Sequence, residues 1–399
     1  MADPWNPSTF DPHAPDFLAD PFPTYANFRD QAPVYWVEEY QSWWVFRYGD
    51  VKLVLDEKET FLKNPTTPPA EPTPIFHVLG NMPQGVFSMD PPRHDVVRGI
   101  LDPLFAEAIA NGSATATALA RPLLLTAKQS RRFDLVSAYA LPLPAQVLLT
   151  VMGIPQEDWL GLIGWVTSIV AAHDISQTLS VRFAGGTCSM ATSAYYQALM
   201  RGCPLDPQHA GLLDLMVLQA TKQGMTLEEV QETAVNFNVA GYLSTTFLIA
   251  TGVYNLLQQP DQLQQLRSNP ELLPGAIEEM LRYDTPAQIV DRVAATDVTL
   301  GGQKISAGES VSAILGSANR DPGVFDDPDR FDITRSPNPH VAFGDGIHYC
   351  IGAPLVRLVA PAAFTVLLQE LPSFSLAGVP QWQADPYLRS VSNLPLAVG

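Results

Sequence analysis

The 399-residue sequence predicts a mainly α fold with small β-sheets. Three observations carry this. From His94 to about Tyr283 the chain reads mostly as helical segments. Short β-branched and aromatic runs sit on either side of that stretch. Hydrophobic residues make up 46%, enough for a sizeable core. The 36 prolines are spread along the chain and mark no linker, so residues 1–399 are expected to form one domain.

In order, a helix is expected over Pro23–Asp30. A β-hairpin follows, with strands Val34-Tyr35-Trp36-Val37 and Trp43-Trp44-Val45-Phe46 joined through Glu38 to Ser42. A short helix starts at Asp50. Residues 64–86 are rich in Pro and Thr and read as a long loop, a class of segment that is often functional. Thr226-Leu227-Glu228-Glu229 is a capping-box pattern. Apolar residues continue from it to Leu257, and Pro260 stops the run. As one helix of about 32 residues it would span roughly 50 Å and cross the molecule. Short strands are expected at Val298–Leu300, Lys304–Ile305 and Ser310–Leu315, and Ala353–Val366 is helix-compatible.

The net charge of −18 argues against nucleic acid or an anionic membrane as partner. No apolar run reaches the length of a membrane span, and no secretory signal opens the chain. Three cysteines, Cys188, Cys203 and Cys350, suit a reducing cytoplasm without a disulfide framework.

The stretch with most chemistry is Phe343-Gly344-Asp345-Gly346-Ile347-His348-Tyr349-Cys350-Ile351-Gly352. It presents one cysteine from a glycine-rich loop that leads into a helix. A helix N-terminus supplies partial positive charge and free N–H donors that stabilise a thiolate. Such a thiolate can be the axial ligand of a haem iron and favour O–O cleavage. Gly344, Gly346 and Gly352 would let the backbone bend close to the sulfur and a flat macrocycle approach. Phe343 would shield the sulfur, and His348 would donate to a haem propionate. A buried structural cysteine beside a turn is the competing reading. Cys188 and Cys203 lack a glycine cradle and read as non-functional.

The spacing F-G-x-G-x-H-x-C-x-G resembles the haem loop of the cytochrome P450 family. The resemblance extends over essentially the whole chain. It implies the P450 fold, heme b (iron protoporphyrin IX) and oxidation of a small molecule, with ferredoxin and ferredoxin reductase as electron donors. Cys350 would be the metal ligand. Glu279-Met280-Leu281-Arg282 matches the family's ExxR pair, with the partner arginine at Arg330. Ala318-Asn319-Arg320-Asp321-Pro322 also resembles the family there. His94, Arg98 and Arg292 match positions that hold haem propionates, with His348 the fourth.

Two features depart from the family. The distal helix usually carries an acid followed by a threonine. Here Ala240-Gly241-Tyr242-Leu243-Ser244-Thr245-Thr246 puts Leu243 at the acid position and Ser244 at the alcohol, with Thr245 next. Leucine cannot shuttle a proton. Either Ser244 keeps half of a relay, or it only bonds back to the helix backbone. The second departure concerns electron supply. Arg93 to Ala110 offers only Arg93 and Arg98 as cations against Asp95, Asp102 and Glu107, and Arg357 stands alone after the loop. Docking of an acidic ferredoxin is therefore expected to be weak.

The resemblance places substrate contacts in the 64–86 loop (Phe76, Val86, with Phe87 adjacent), in the 165–185 region, at Val239, Ala240 and Leu243, at Gln288, Ile289 and Val290, and at Asn393. Asn238, Tyr242, Gln288 and Asn393 are the polar handles, and Asn236 and Asn238 lie within an apolar helix. A mid-sized, mostly apolar molecule of secondary metabolism fits. Three functions compete: a monooxygenase; an enzyme using peroxide or nitric oxide (for example in nitration) or catalysing a rearrangement; and a non-catalytic haem sensor.

Overall fold

The computed structural model describes residues 5–63, 85–110, 112–172, 178–202, 211–383 and 385–399. Most of the 64–86 loop, including Phe76, lies outside the described residues, as do Cys203 and part of the 165–185 region.

The hairpin forms with Val34↔Val45 and Trp36↔Trp43 in register. Its strands, Val34–Val37 and Ser42–Val45, start a five-stranded sheet. Ser310–Ile314 joins in parallel, and Ile289–Ala294 and Phe61–Leu62 follow antiparallel. The final strand ends one residue earlier than expected, because Leu315 begins a helical turn. One face of this sheet packs on an aromatic cluster that includes Tyr25, Phe28, Trp44 and Phe46. The Phe28 and Phe46 rings stack at 4.4 Å.

The helical body holds the larger core. Thr226 caps its helix as expected: Glu229 N donates to Thr226 Oγ1 at 3.1 Å, and Thr226 N donates to Glu229 Oε2 at 2.8 Å. The single long helix does not form. Leu227–Ala240 ends at Gly241, and Leu243–Gln258 starts anew after Tyr242. A Cβ on Gly241 would lie 2.4 Å from Phe237 O and 2.8 Å from Leu148 Cδ2. The break thus lets the Pro142–Met152 helix approach the backbone closely. Gly252 makes a second close approach, with Met280 Sδ at 2.7 Å and Phe364 Cζ at 2.9 Å from where its Cβ would be.

The Ala353–Glu370 helix exceeds the sequence expectation at its C-terminal end. It is long and apolar enough to cross a membrane by composition, contrary to the expectation that no segment would be. It serves as a core helix, with Leu355, Val359, Phe364 and Leu367 buried.

Candidate active site

Cys350 sits where the loop meets the Ala353–Glu370 helix. Its N–H donates to Phe343 O at 2.9 Å, closing the loop. Burial pushes the thiol up, and the nearby backbone N–H groups of Gly352 and Ala353 oppose this; Ala353 N itself donates to Cys350 O at 3.2 Å. The charges of Arg98 and Arg357 act in the same direction as those donors. A buried thiol of this kind ionises when a metal cation replaces its proton. Gly344 and Gly346 take positive φ, 71° and 66°. Gly346 meets a need the sequence did not suggest. Its missing Cβ would lie 2.7 Å from Leu55 O and 3.2 Å from Asp56 Cα, so it makes room for the end of the Tyr48–Asp56 helix and not for a macrocycle. Phe343 is buried, and Arg357 lies 4.7 Å over its ring.

Basic side chains converge beside this loop. The His94 and His348 rings pack edge to face at 4.5 Å. His94 is buried, with Nδ1 3.1 Å from Asp95 Oδ1 and Nε2 unpartnered. His348 Nε2 lies 3.9 Å from Asp90 Oδ1. Burial, with Arg292 and Lys63 nearby and Asp90 opposing, pushes His348 down to about 4. Arg292 is buried, and among the described residues its side chain makes one hydrogen bond, from Nη1 to Asp291 O at 2.9 Å. Lys63 completes the group, and no motif in the sequence marked it. Arg98 is placed differently: Nε donates to Asp102 Oδ1 at 2.7 Å, and Nη1 donates to Ile347 O at 3.3 Å and Tyr349 O at 3.0 Å. It grips the cysteine loop directly.

Behind the loop lies a buried clamp. Arg282 Nε and Nη2 donate to the two oxygens of Glu279, each at 2.8 Å, and both side chains are fully enclosed. This is the bidentate geometry expected of the pair. The partner arginine is corrected. Arg330 reaches Arg282 only through its carbonyl at 3.2 Å, while its guanidinium turns outward to Asp332 at 3.0 Å. Arg335 is the second arginine on Glu279, at 3.2 Å. Asp332 N–H and Asn338 Nδ2 also donate to that carboxylate.

The distal helix pair is the opposite environment. Ala240 is exposed and Leu243 and Ser244 are half-buried, although Val239, Thr245 and Thr246 beside them are buried. Thr246 Oγ1 donates back to Tyr242 O at 3.0 Å. Thr245 Oγ1, Tyr242 OH and both amide atoms of Asn238 are buried without partners. Asn236 lies against Gly85, whose Cβ would fall 2.5 Å from its Nδ2.

The remaining pocket candidates divide. Phe87 is half exposed and its ring carries Lys63 Nζ at 4.5 Å. Strand alternation separates Ile289 from Val290. Val290 shares the Arg292 face, whereas Ile289 packs in the N-terminal aromatic cluster with Ile314, so Ile289 is core and not pocket. Gln288 is buried, donates to Thr285 O at 2.5 Å and packs its unpartnered Oε1 on Gly316. Asn393 is half-buried and pairs with Gln381 at a strand end.

These features fit a flat, dianionic, metal-bearing ring. They comprise a half-buried cysteine at a helix start, basic groups including an orphaned imidazole nitrogen, and a helix break where Ala240 is exposed and Leu243 and Ser244 are half-buried. Comparison with known proteins agrees. A family model described as Cytochrome P450 matches residues 193–388. The chain is 32% identical over 386 residues to the "Biotin biosynthesis cytochrome P450" of Bacillus subtilis (strain 168), covering 96% of this chain and 97% of that one. It is 34% identical to the "Cytochrome P450 monooxygenase PikC" of Streptomyces venezuelae, covering 96% and 92%. Among solved structures, P450BioI in complex with hexadec-9Z-enoic acid ligated acyl carrier protein superimposes with a TM-score of 0.87 at 31% identity, covering 96% of this chain and 100% of that one. Likeness of this extent, over nearly full length and with the cysteine loop in place, shows that the chain belongs to the cytochrome P450 family of heme b monooxygenases.

Proposed function

We propose that Cys350 ligates the haem iron and that the protein oxidises a mid-sized, mostly apolar small molecule in secondary metabolism. The observation that carries this reading is Cys350 at the start of a core helix, its N–H on Phe343 O at 2.9 Å and its carbonyl accepting from Ala353 N at 3.2 Å, with the basic group of His94, Arg292 and His348 beside the loop. Haem held by a thiolate supplies dioxygen activation and O–O cleavage. His94, Arg292 and His348 hold the propionates, and Arg98 fixes the loop that carries the ligand. Relatives such as "Polyketide biosynthesis cytochrome P450 PksS" and "Mycinamicin IV hydroxylase/epoxidase" support the substrate class. Phe87, Val239, Ala240, Leu243, Val290 and Asn393 line the substrate side of this reading. A cytoplasmic location follows from the cysteine usage.

Proton delivery is the unusual part. Leu243 cannot carry a proton, so the relay falls to Ser244 and Thr245, with the Asn238 amide, unpartnered among the described residues, across the helix break from Thr245. Electron supply is also unusual. Arg98 pairs with Asp102, Arg357 with Glu278 and Arg93 with Glu229, so a ferredoxin meets no unpaired one of these cations. These two observations favour a second reading, in which peroxide replaces dioxygen and reductase.

The reduced CO difference spectrum tests the ligand: Cys350→Ala is expected to abolish the thiolate band. Dioxygen uptake compared with product formed separates the two oxidants. Leu243→Asp or Leu243→Glu is expected to raise coupling if the missing acid limits proton delivery, and unchanged coupling would count against that account.

A further inference from the structure

Lys63 stands in an unusual place. The residue is half-buried, and desolvation is the largest cause acting on its ammonium. Its backbone N–H donates to Asp90 Oδ1 at 2.9 Å, and Nζ lies 4.5 Å over the Phe87 ring. Arg292 is close enough to repel it, and both act on His348. Among the described residues, neither Lys63 nor Arg292 makes a side-chain ion pair. Burial and mutual repulsion, opposed by Asp291 and Asp90, push Lys63 down to about 7. Arg292 is pushed down to about 10, by burial first, with Asp291 and Asp90 opposing.

Asp90 and Asp291 offset the repulsion of these two like charges only in part, since both stay shifted down, and an anion pairing with both would lower the cost further. Cation–π contact with Phe87 offsets only part of that cost. A dianionic ligand would meet both charges, and the imidazole of His348 lies in the same group. The four basic side chains come from separate elements: Lys63 after the Phe61–Leu62 strand, His94 on the Arg93–Ile109 helix, Arg292 on the Ile289–Ala294 strand and His348 on the cysteine loop. Such convergence is how a fold builds an anion site.

We propose that Lys63 is a further anchor of the cofactor, its ammonium pairing with a propionate carboxylate beside Arg292 and His348. This rests on the cofactor placement given above.

The test uses the haem-loaded protein and the variants Lys63→Ala, Lys63→Gln and Lys63→Arg. The rate of haem transfer to excess apomyoglobin is measured with heme b and with its dimethyl ester, which has no propionate charge. With heme b, Lys63→Ala and Lys63→Gln are expected to lose the cofactor roughly tenfold faster, about the worth of one charge-assisted hydrogen bond, while Lys63→Arg stays near wild type. With the dimethyl ester, the difference from wild type is expected to vanish. An unchanged rate with heme b overturns the proposal. So does an equal acceleration with both cofactors, because Lys63 would then act only on the fold. The CO difference band of the wild type is read on the same samples. Its absence overturns the cofactor placement itself, and its presence with unaltered loss rates overturns Lys63 alone.

Discussion

The clamp behind the cysteine loop and the distal helix pair are both buried and both polar, yet they are built in opposite ways. At the clamp, Glu279 accepts from Arg282, Arg335, Asp332 N–H and Asn338, and among the described residues only Asn338 Oδ1 is left without a partner. On the distal side, Thr233, Asn238, Tyr242, Thr245 and Thr251 all bury polar atoms with no partner among the described residues. Buried polar groups are normally satisfied, and each exception needs an explanation. The contrast separates what must be rigid from what must receive something. The clamp ties the carbonyls of Asn319, Pro328 and Arg330 together, and Asn319 holds Val341 just before the cysteine loop. In the proposed function, the distal pair is the side that receives water, substrate or protons.

Breaking the clamp should therefore have the largest effect. Glu279→Gln leaves Arg282 enclosed without its counter-charge and is expected to cost roughly 3–5 kcal/mol. Thermal unfolding and haem content would both register it. Arg335→Ala and Arg330→Ala then sharpen the assignment. The first is expected to cost about 3 kcal/mol, because Arg335 is enclosed at Glu279. The second should cost under about 1 kcal/mol, because the Arg330 side chain is 60% exposed. Equal losses in the two variants would return Arg330 to the clamp.

Acid should separate the regions next. Burial alone would raise the Glu278 carboxyl, but hydrogen bonds from Arg357 and His340 bring it from 4.5 to about 2. A carboxyl depressed by folding contributes stability above its unfolded value. That contribution is lost as pH falls from about 4.5 through about 2. Wild type should thus lose melting temperature over this window more steeply than Glu278→Gln. Parallel profiles would mean that the pair does not couple to folding.

The motif-level features were legible in the sequence because each rests on local chemistry. The cysteine loop, the Thr226 cap and the hairpin are all decided within about ten residues. The rest depended on tertiary contacts. A glycine inside a helix costs about 1 kcal/mol and does not by itself break it. At Gly241 the space a Cβ would need is taken by Phe237 O and Leu148 Cδ2, a tertiary approach that the sequence does not show. Arg330 and Arg335 lie in one loop, and only its folded path decides which side chain points in. Ile289 and Val290 differ only in the sense of strand alternation, which composition does not fix. Lys63 carried no signal at all, since a lone lysine before an irregular segment is ordinarily a surface charge.

Tyr242→Phe tests the distal side with a smaller effect. Its hydroxyl is buried without a partner, so removal should leave stability within about 1 kcal/mol or raise it slightly. If coupling of oxidant to product falls while stability holds, the hydroxyl belongs to a water-filled path. If neither changes, the unpartnered groups of this region need not act together.

The smallest effect is expected on the outer face of the loop, where ion pairs replace open charge. Arg98–Asp102 and Lys52–Asp345 close at 2.7 Å and 2.6 Å, and Arg357 is held by Glu278 at 2.8 Å. A partner that steers by long-range attraction needs unpaired cations, and its rate falls steeply with salt. Here the field is neutralised locally and the whole chain carries −18. Stopped-flow reduction by an acidic ferredoxin should therefore be slow and change little between low and high ionic strength. Fast reduction at low salt that collapses on adding salt would show that these pairs open for the partner, so that the loop's outer face is no more preformed than the distal helices.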